Sequence, residues 1–378
     1  MFKNISVRPT WTEISLKNLS YNFRSIKEFV GDSVKFAAIV KADAYGHGAI
    51  ECARTLERED IDWFGVALVK EGIELREAGI RKRILCLGGF WEGQQQLLLD
   101  YGLTPAIFSV EQAATFNFAA QARGTSAEIH IKIDTGMNRI GIRFDQIGEF
   151  LQCIKPFKNI HIEGVMSHFA AADDEDQREF TMLQAARFDK CVETFRAFGH
   201  NPVYLDLANT PASVGFRGEF GNMVRLGGFL YGLADDMLPA NAEKPDYKPV
   251  LSLFTQIALI KHVPKGETIG YGRTFSTTRD SLIAAIPIGF HDGYPRILSN
   301  RAAVLINGKR APIVGRISMD WTIIDVTDVG DVSVGDRVTI IGEDGSEKIT
   351  AAELAQMAET ISYEITCGIN ERVERKIL

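Results

Sequence analysis

The first two thirds of the chain alternate short apolar runs with stretches of helical periodicity, and this repetition restricts the fold more than any other feature. The apolar runs lie at 34–40, 62–66, 83–88, 104–107, 127–133, 161–167, 203–207 and 223–226. Between them, Leu16, Leu19, Phe23, Ile26, Phe29 and Val30 recur at helical spacing and predict a helix over 16–30. Further helices are expected over 68–79, 110–122 and 177–198. Strands alternating with helices imply a parallel sheet. Eight of them predict an α/β fold, a (β/α)8 TIM-type barrel of ordinary size. A doubly wound sheet is the rival, but no G-x-G-x-x-G opens a helix after a strand.

Near residue 235 the pattern changes. Residues 235–249 are polar and proline-bearing, as a linker should be. Beyond them β patterns dominate, at 251–262, 282–288, 302–306, 312–318, 322–326 and 337–341. Asn307-Gly308, Val334-Gly335-Asp336 and Glu343-Asp344-Gly345 punctuate them as turns. One helix is expected from Thr350 to Glu359, with Thr350 as N-cap and Glu353 completing a capping box. The expected plan is a barrel over 1–240 followed by a mostly antiparallel β domain over 241–378. A length of 378 residues allows two cores of that kind.

Charge and cysteine content narrow the function classes. A net charge of -7 argues against a nucleic-acid binder. No segment has the roughly 18 consecutive apolar residues of a membrane span, and residues 1–11 have no apolar signal core. The five cysteines are scattered, without metal spacing or a disulfide framework, so a cytoplasmic protein with cysteines as small buried hydrophobes is expected.

Barrels of this type build their sites at the C-terminal ends of the strands. Chemically capable residues collect there. Lys41 follows the first strand, where a desolvated amine suits Schiff-base chemistry. Lys132, Asp134 and Arg139 lie at or after the fifth, and His168 closes the sixth. Asn209 and Thr210 follow the seventh, and Arg225 lies inside the eighth, ahead of Gly227 and Gly228. Loops after strands seven and eight often bind phosphate. Here one offers hydroxyls and the other two glycines whose amides can approach an anion.

A lysine amine, a phosphate cradle and an arginine in one barrel mouth suggest pyridoxal phosphate. Five motifs carry a resemblance from Trp11 to the C-terminus: Val40-Lys41-Ala42-Asp43-Ala44-Tyr45-Gly46-His47-Gly48, Lys132-Ile133-Asp134-Thr135-Gly136-Met137-Asn138-Arg139, Gly270-Tyr271-Gly272-Arg273-Thr274-Phe275, Gly315-Arg316-Ile317-Ser318-Met319-Asp320 and Ile361-Ser362-Tyr363-Glu364. In these the chain resembles the alanine racemase family of fold-type III pyridoxal phosphate enzymes.

The resemblance implies a cytoplasmic isomerase that interconverts L- and D-alanine for peptidoglycan. It implies that pyridoxal 5'-phosphate binds Lys41 covalently, and that Lys41 and Tyr271 are the two bases. Arg225 would meet the pyridine nitrogen and His168 would pack on the ring. Tyr45, Asn209, Thr210, Tyr363 and the Gly227 and Gly228 amides would complete the cofactor site. Arg139 and the Met319 backbone would take the substrate carboxylate, with Lys132 carbamylated beside Arg139. It further implies a homodimer with shared sites. Two positions depart from the family pattern: Asp206 stands where a histidine is expected, and Phe290 where tyrosine is more usual. An Asp206–Arg225 ion pair would replace the first. A racemase of another small amino acid such as serine, a decarboxylase of the same fold type, or a non-catalytic cofactor carrier are the alternatives. Tyr363, which should narrow the site, favours alanine.

Overall fold

The computed structural model describes residues 8–216, 220–238 and 243–378. All eight expected barrel strands form, at Lys35–Ile39, Trp63–Val66, Arg83–Cys86, Thr104–Ile107, Ala127–Asp134, Ile160–Met166, Tyr204–Asp206 and Met223–Leu226. Neighbours pair in parallel and in sequence order. The ring closes at the seventh position. Tyr204–Asp206 pairs with the sixth strand, and Ala208–Asn209, two residues on, pairs with the eighth through Ala208↔Val224 and Asn209↔Arg225. The expected helices appear at Leu16–Val30, Val69–Glu77, Val110–Ala122 and Arg178–Ala197.

Ala37, Trp63, Leu85, Ala106, Met166 and Met223 fill the barrel interior. His130 lies among them, fully buried. Its ring stacks on Tyr204 at 5.8 Å and tilts against Trp63 at 5.2 Å. Gly164 on the next strand leaves room for it; a Cβ there would fall 2.5 Å from the imidazole. Neither ring nitrogen meets a hydrogen-bond partner. Burial therefore pushes the imidazole down to about 3, with the Arg83 and Arg225 charges acting in the same direction.

The chain divides into two compact units. One comprises residues 19–44 and 49–248. The other comprises 249–378 together with residues up to Asn18 and the short stretch 45–48. The first strand, Thr10–Ile14, is thus a departure from an expected 1–240 barrel. It pairs antiparallel with Leu251–Gln256 and parallel with Glu374–Ile377, inside the β unit.

In that unit the expected strand over 251–262 is broken in two. Leu251–Gln256 pairs with Arg337–Asp344, whereas Leu259–Val263 pairs with Ser281–Ile286 in another sheet. The expected strand over 312–318 does not extend past Pro312. Gly315 turns there with φ +79°, and a Cβ on it would lie 2.7 Å from the Ile269 carbonyl, so residues 315–320 form a loop instead. The Asn307-Gly308 turn is as expected, joining Ala303–Ile306 to Lys309–Pro312. The Thr350 hydroxyl accepts the Glu353 amide at the head of helix Ala351–Ala358. Cys52, Cys86 and Cys191 are buried, but Cys153 and Cys367 are exposed, since each falls on the outer face of its helix.

The low value of His130 gives stability a defined acid limb. Between about pH 6.5 and 3 the unfolded chain binds a proton that the folded chain refuses. Stability should be fully present above pH 6.5 and fall with acidity, at a limiting slope of about 1.4 kcal/mol per pH unit. Whatever its absolute stability, His130→Leu is expected to show a shallower slope by urea unfolding over this range. An unchanged slope would show that His130 is not the group responsible.

Candidate active site

The first barrel strand ends by donating the Val40 amide to the Gly65 carbonyl at 2.9 Å. The helical segment that follows, Lys41–Gly46, has φ of +52° to +56° at Ala42, Asp43, Ala44 and Tyr45, and +85° at Gly46. It winds left-handed. Each non-glycine residue in that conformation costs roughly 1–2 kcal/mol, so four of them store several kcal/mol. Hydrogen bonds offset part of this. The Ala44 amide donates to the Val40 carbonyl at 3.0 Å. One oxygen of Glu71 accepts the Ala42 amide at 2.8 Å, and the other accepts the Ala67 and Leu68 amides at 2.7 and 2.9 Å. Asp43 accepts the Ala49 amide at 2.8 Å. The backbone that carries Lys41 is therefore held from both ends.

Around the inner ends of strands five to eight, the barrel gathers buried charge. Arg225 is buried, and its guanidinium donates widely. One terminal nitrogen reaches the Asp206 carboxylate and, at 3.1 Å, the Asp206 carbonyl. The other reaches the Ser167 carbonyl at 2.7 Å, the Leu207 carbonyl at 3.2 Å and His168 Nδ1 at 3.0 Å. A guanidinium only donates, so His168 accepts at Nδ1 and carries its proton on Nε2. Burial and the Arg225 charge hold the His168 imidazole well below its ordinary value, which keeps it neutral. The Arg225 Nε–H has no protein acceptor among the described residues.

Lys132 lies next to this group, buried on the fifth strand. Desolvation, followed by the Arg225 charge, lowers its amine to about 7; Arg139 and Lys41 push the same way, and Asp206 opposes. Lys132, Arg139, Ser167 and His168 line one cavity. Asp134 is absorbed locally, accepting the Gly136 and Asn138 amides at 2.9 and 3.0 Å, which shapes the loop toward exposed Arg139.

The proposed phosphate side is also assembled. Asn209 caps the short helix Thr210–Gly215, accepting the Ala212 amide. The buried Thr210 hydroxyl accepts the Gly227 amide at 2.9 Å. That bond joins the loops after strands seven and eight, with Gly228 opening the next turn. The donor set fits pyridoxal phosphate: the Thr210 hydroxyl, fixed by the Gly227 amide, for the phosphate, a neutral imidazole beside an arginine for the ring, and a lysine for the aldehyde.

In the β unit, Tyr271 stands at the tip of a hairpin, Thr268–Ile269 paired with Phe275–Ser276. Gly270 and Gly272 flank it at φ +73° and +72°, and the tyrosine is 70% exposed. Met319 is exposed on the 315–320 loop, which is fixed to the Phe290 turn. The Phe290 and His291 amides donate to the Ser318 and Met319 carbonyls, each at 3.0 Å. Phe290 is itself exposed. Tyr45 and Tyr363 pack edge to face at 4.9 Å, so two residues distant in sequence share one place. Gly46 beside them admits no side chain, since a Cβ would lie 2.2 Å from the Thr366 carbonyl.

Comparison with known proteins agrees with this geometry. The family model "Alanine racemase, N-terminal domain" matches residues 14–235, and "Alanine racemase, C-terminal domain" matches residues 250–377. The chain belongs to the alanine racemase family. The alanine racemase of Halothermothrix orenii is 44% identical over 375 residues, covering 98% of this chain and 97% of its own. The solved alanine racemase of Clostridium difficile 630 superposes with a TM-score of 0.91 at 36% identity, over 99% of this chain and 97% of its own. That of Bartonella henselae, solved with covalently bound pyridoxal phosphate, gives 0.87 at 27% identity, over 98% and 99%. Among the described residues no helix is long and apolar enough to cross a membrane.

Sequence reasoning missed Glu71 as a support of the Lys41 turn. Its only sequence signal is an acid in the first turn of the helix after the second strand, which reads as an ordinary capping residue. Glu71→Ala strips three amides of their acceptor. It is expected to lower unfolding free energy by about 2–4 kcal/mol and to increase amide exchange at Ala42. Protection of that amide equal to the parent's would contradict the bracing role.

Proposed function

We propose that this isomerase interconverts L- and D-alanine with pyridoxal 5'-phosphate, using Lys41 and Tyr271 as its two bases, as a cytoplasmic homodimer with shared sites. The observation that carries the reading is Arg225, a buried guanidinium whose terminal nitrogens are taken by protein acceptors while its Nε–H is left for a ligand. Pyridoxal phosphate, when bound, supplies the electron sink that makes the α-proton of an attached amino acid acidic. Everything else falls to the chain. The Lys41 Nζ holds the cofactor and exchanges a proton with one face of the α-carbon. The Tyr271 hydroxyl exchanges a proton on the other, because inversion needs an acid–base group on each face. Arg225 would meet the ring nitrogen as a hydrogen-bond donor through its remaining Nε–H and, unlike a carboxylic acid, would not release a proton to it. Neutral His168 gives the ring an uncharged surface. Asn209, Thr210 and the turn at Gly227 and Gly228 hold the phosphate with Tyr45 and Tyr363, Gly227 acting through the Thr210 hydroxyl to which its amide donates. Arg139 and the Met319 backbone take the alanine carboxylate.

Lys132 fits a carbamate. Its amine attacks carbon dioxide only when neutral, and a value of about 7 leaves it substantially neutral at ordinary pH. Carbamate formation releases a proton and converts the site to an anion, which suits a position pushed down by Arg225, Arg139 and Lys41.

Borohydride reduction and peptide mapping are expected to place the pyridoxyl label on Lys41. Label on Lys132 instead would overturn the assignment. The shared site is tested by mixing two inactive dimers, Lys41→Ala and Tyr271→Phe. After verified subunit exchange, half the dimers are mixed, and each of these has one intact site. Activity is therefore expected to return to about a quarter of the parent value. Activity that stays at the level of the separate variants would place both bases on one chain.

A further inference from the structure

Asp206 has no role in the mechanism above, yet it is fully buried on the seventh strand. One carboxylate oxygen takes the Arg225 guanidinium, and the other, Oδ2, meets no donor. Stability alone is a poor reason for this arrangement. Burying an ion pair carries a heavy desolvation penalty, and a neutral acceptor of similar shape would also hold the arginine. The Asp206, Ser167 and Leu207 carbonyls already fix the guanidinium in place. What a carboxylate adds is charge, in a volume otherwise crowded with cations: burial raises the Asp206 carboxyl above its usual range, and the Arg225 and Lys132 charges act against that and favour the anion. Arg225, Lys132, Arg139 and Lys41 all act on His168, and at Lys132 the Asp206 charge opposes Arg225, Arg139 and Lys41.

We propose that Asp206 is a positioning residue for racemisation, one whose carboxylate cancels the Arg225 charge while the backbone carbonyls hold the Nε–H toward the cofactor ring nitrogen. The nitrogen then meets a hydrogen-bond donor rather than a bare cation. The proposal rests on the pyridoxal phosphate reading. Without the Asp206 charge, positive charge anywhere on the cofactor is disfavoured, including on the nitrogen it shares with Lys41. That nitrogen should then lose its proton at lower pH. Lys132, Arg139 and His168 face the same volume and stay constant across the variants compared.

The test follows the visible absorption of the bound cofactor against pH in the holoenzyme. In Asp206→Asn the titration midpoint is expected about one pH unit below that of the parent. Asp206→His, a neutral acceptor, is expected to shift the same way, and Asp206→Glu, which keeps the charge, to restore the parent midpoint. A variant that lowers thermal stability but leaves the midpoint unmoved would reduce Asp206 to a structural residue. If the Asn variant does not fold, the His and Glu variants decide, and equal midpoints in those two overturn the proposal. A parent protein with no visible band after addition of pyridoxal 5'-phosphate would instead overturn the cofactor reading, and this proposal with it.

Discussion

Arg225 stitches the seam at which the barrel closes. The seventh strand is short, and the chain from Tyr204 to Asn209 must serve the sixth strand first and the eighth two residues later. At that switch the Asp206 carbonyl accepts the Ser167 amide at 3.0 Å and has a lone pair left for a second donor. The guanidinium on the eighth strand takes up the carbonyls of Asp206 and Leu207 in the seventh segment and of Ser167 after the sixth. One side chain thus joins three consecutive elements, and its hydrogen bond to His168 orients the imidazole as part of the same arrangement. Closure of the fold and construction of the site are one set of contacts.

A buried cation of this kind sets the electrostatics around it. Burial alone would lower Lys132, and the Arg225 charge lowers it further. The same influence keeps His168 neutral. The site is therefore an electropositive, poorly hydrated volume suited to anions: a phosphate, a carboxylate, a carbamate. Asp206 moderates that field from within.

The opposite principle operates after the first strand. There the backbone itself is strained, in a left-handed turn that non-glycine residues resist. Glu71, Asp43 and the Val40 carbonyl hold it. The turn sets Lys41 at its start and Tyr45 at its end, and Tyr45 is where Tyr363 packs. Backbone strain at a functional position is tolerated when the surroundings over-determine it, and here the restraining groups can be named.

The sequence by itself determined the eight-strand alternation, the change to β structure after residue 235 and the placing of Lys41, Lys132, His168, Thr210 and Arg225 at strand ends. These follow from periodicity and from residue chemistry, which are local properties. The motifs added the family, down to Tyr271 and Met319. Only the tertiary structure decided that Thr10–Ile14 joins the β unit, because strand partners depend on free edges distant in the chain. It also broke the run over 251–262 between two sheets and turned 315–320 into a loop, through a glycine whose missing Cβ admits the Ile269 carbonyl. The left-handed turn was invisible for the same reason, since Ala-Asp-Ala-Tyr carries no local signal for positive φ. It is held by a carboxylate from another element, Glu71, and by Asp43 bonding onward to the Ala49 amide.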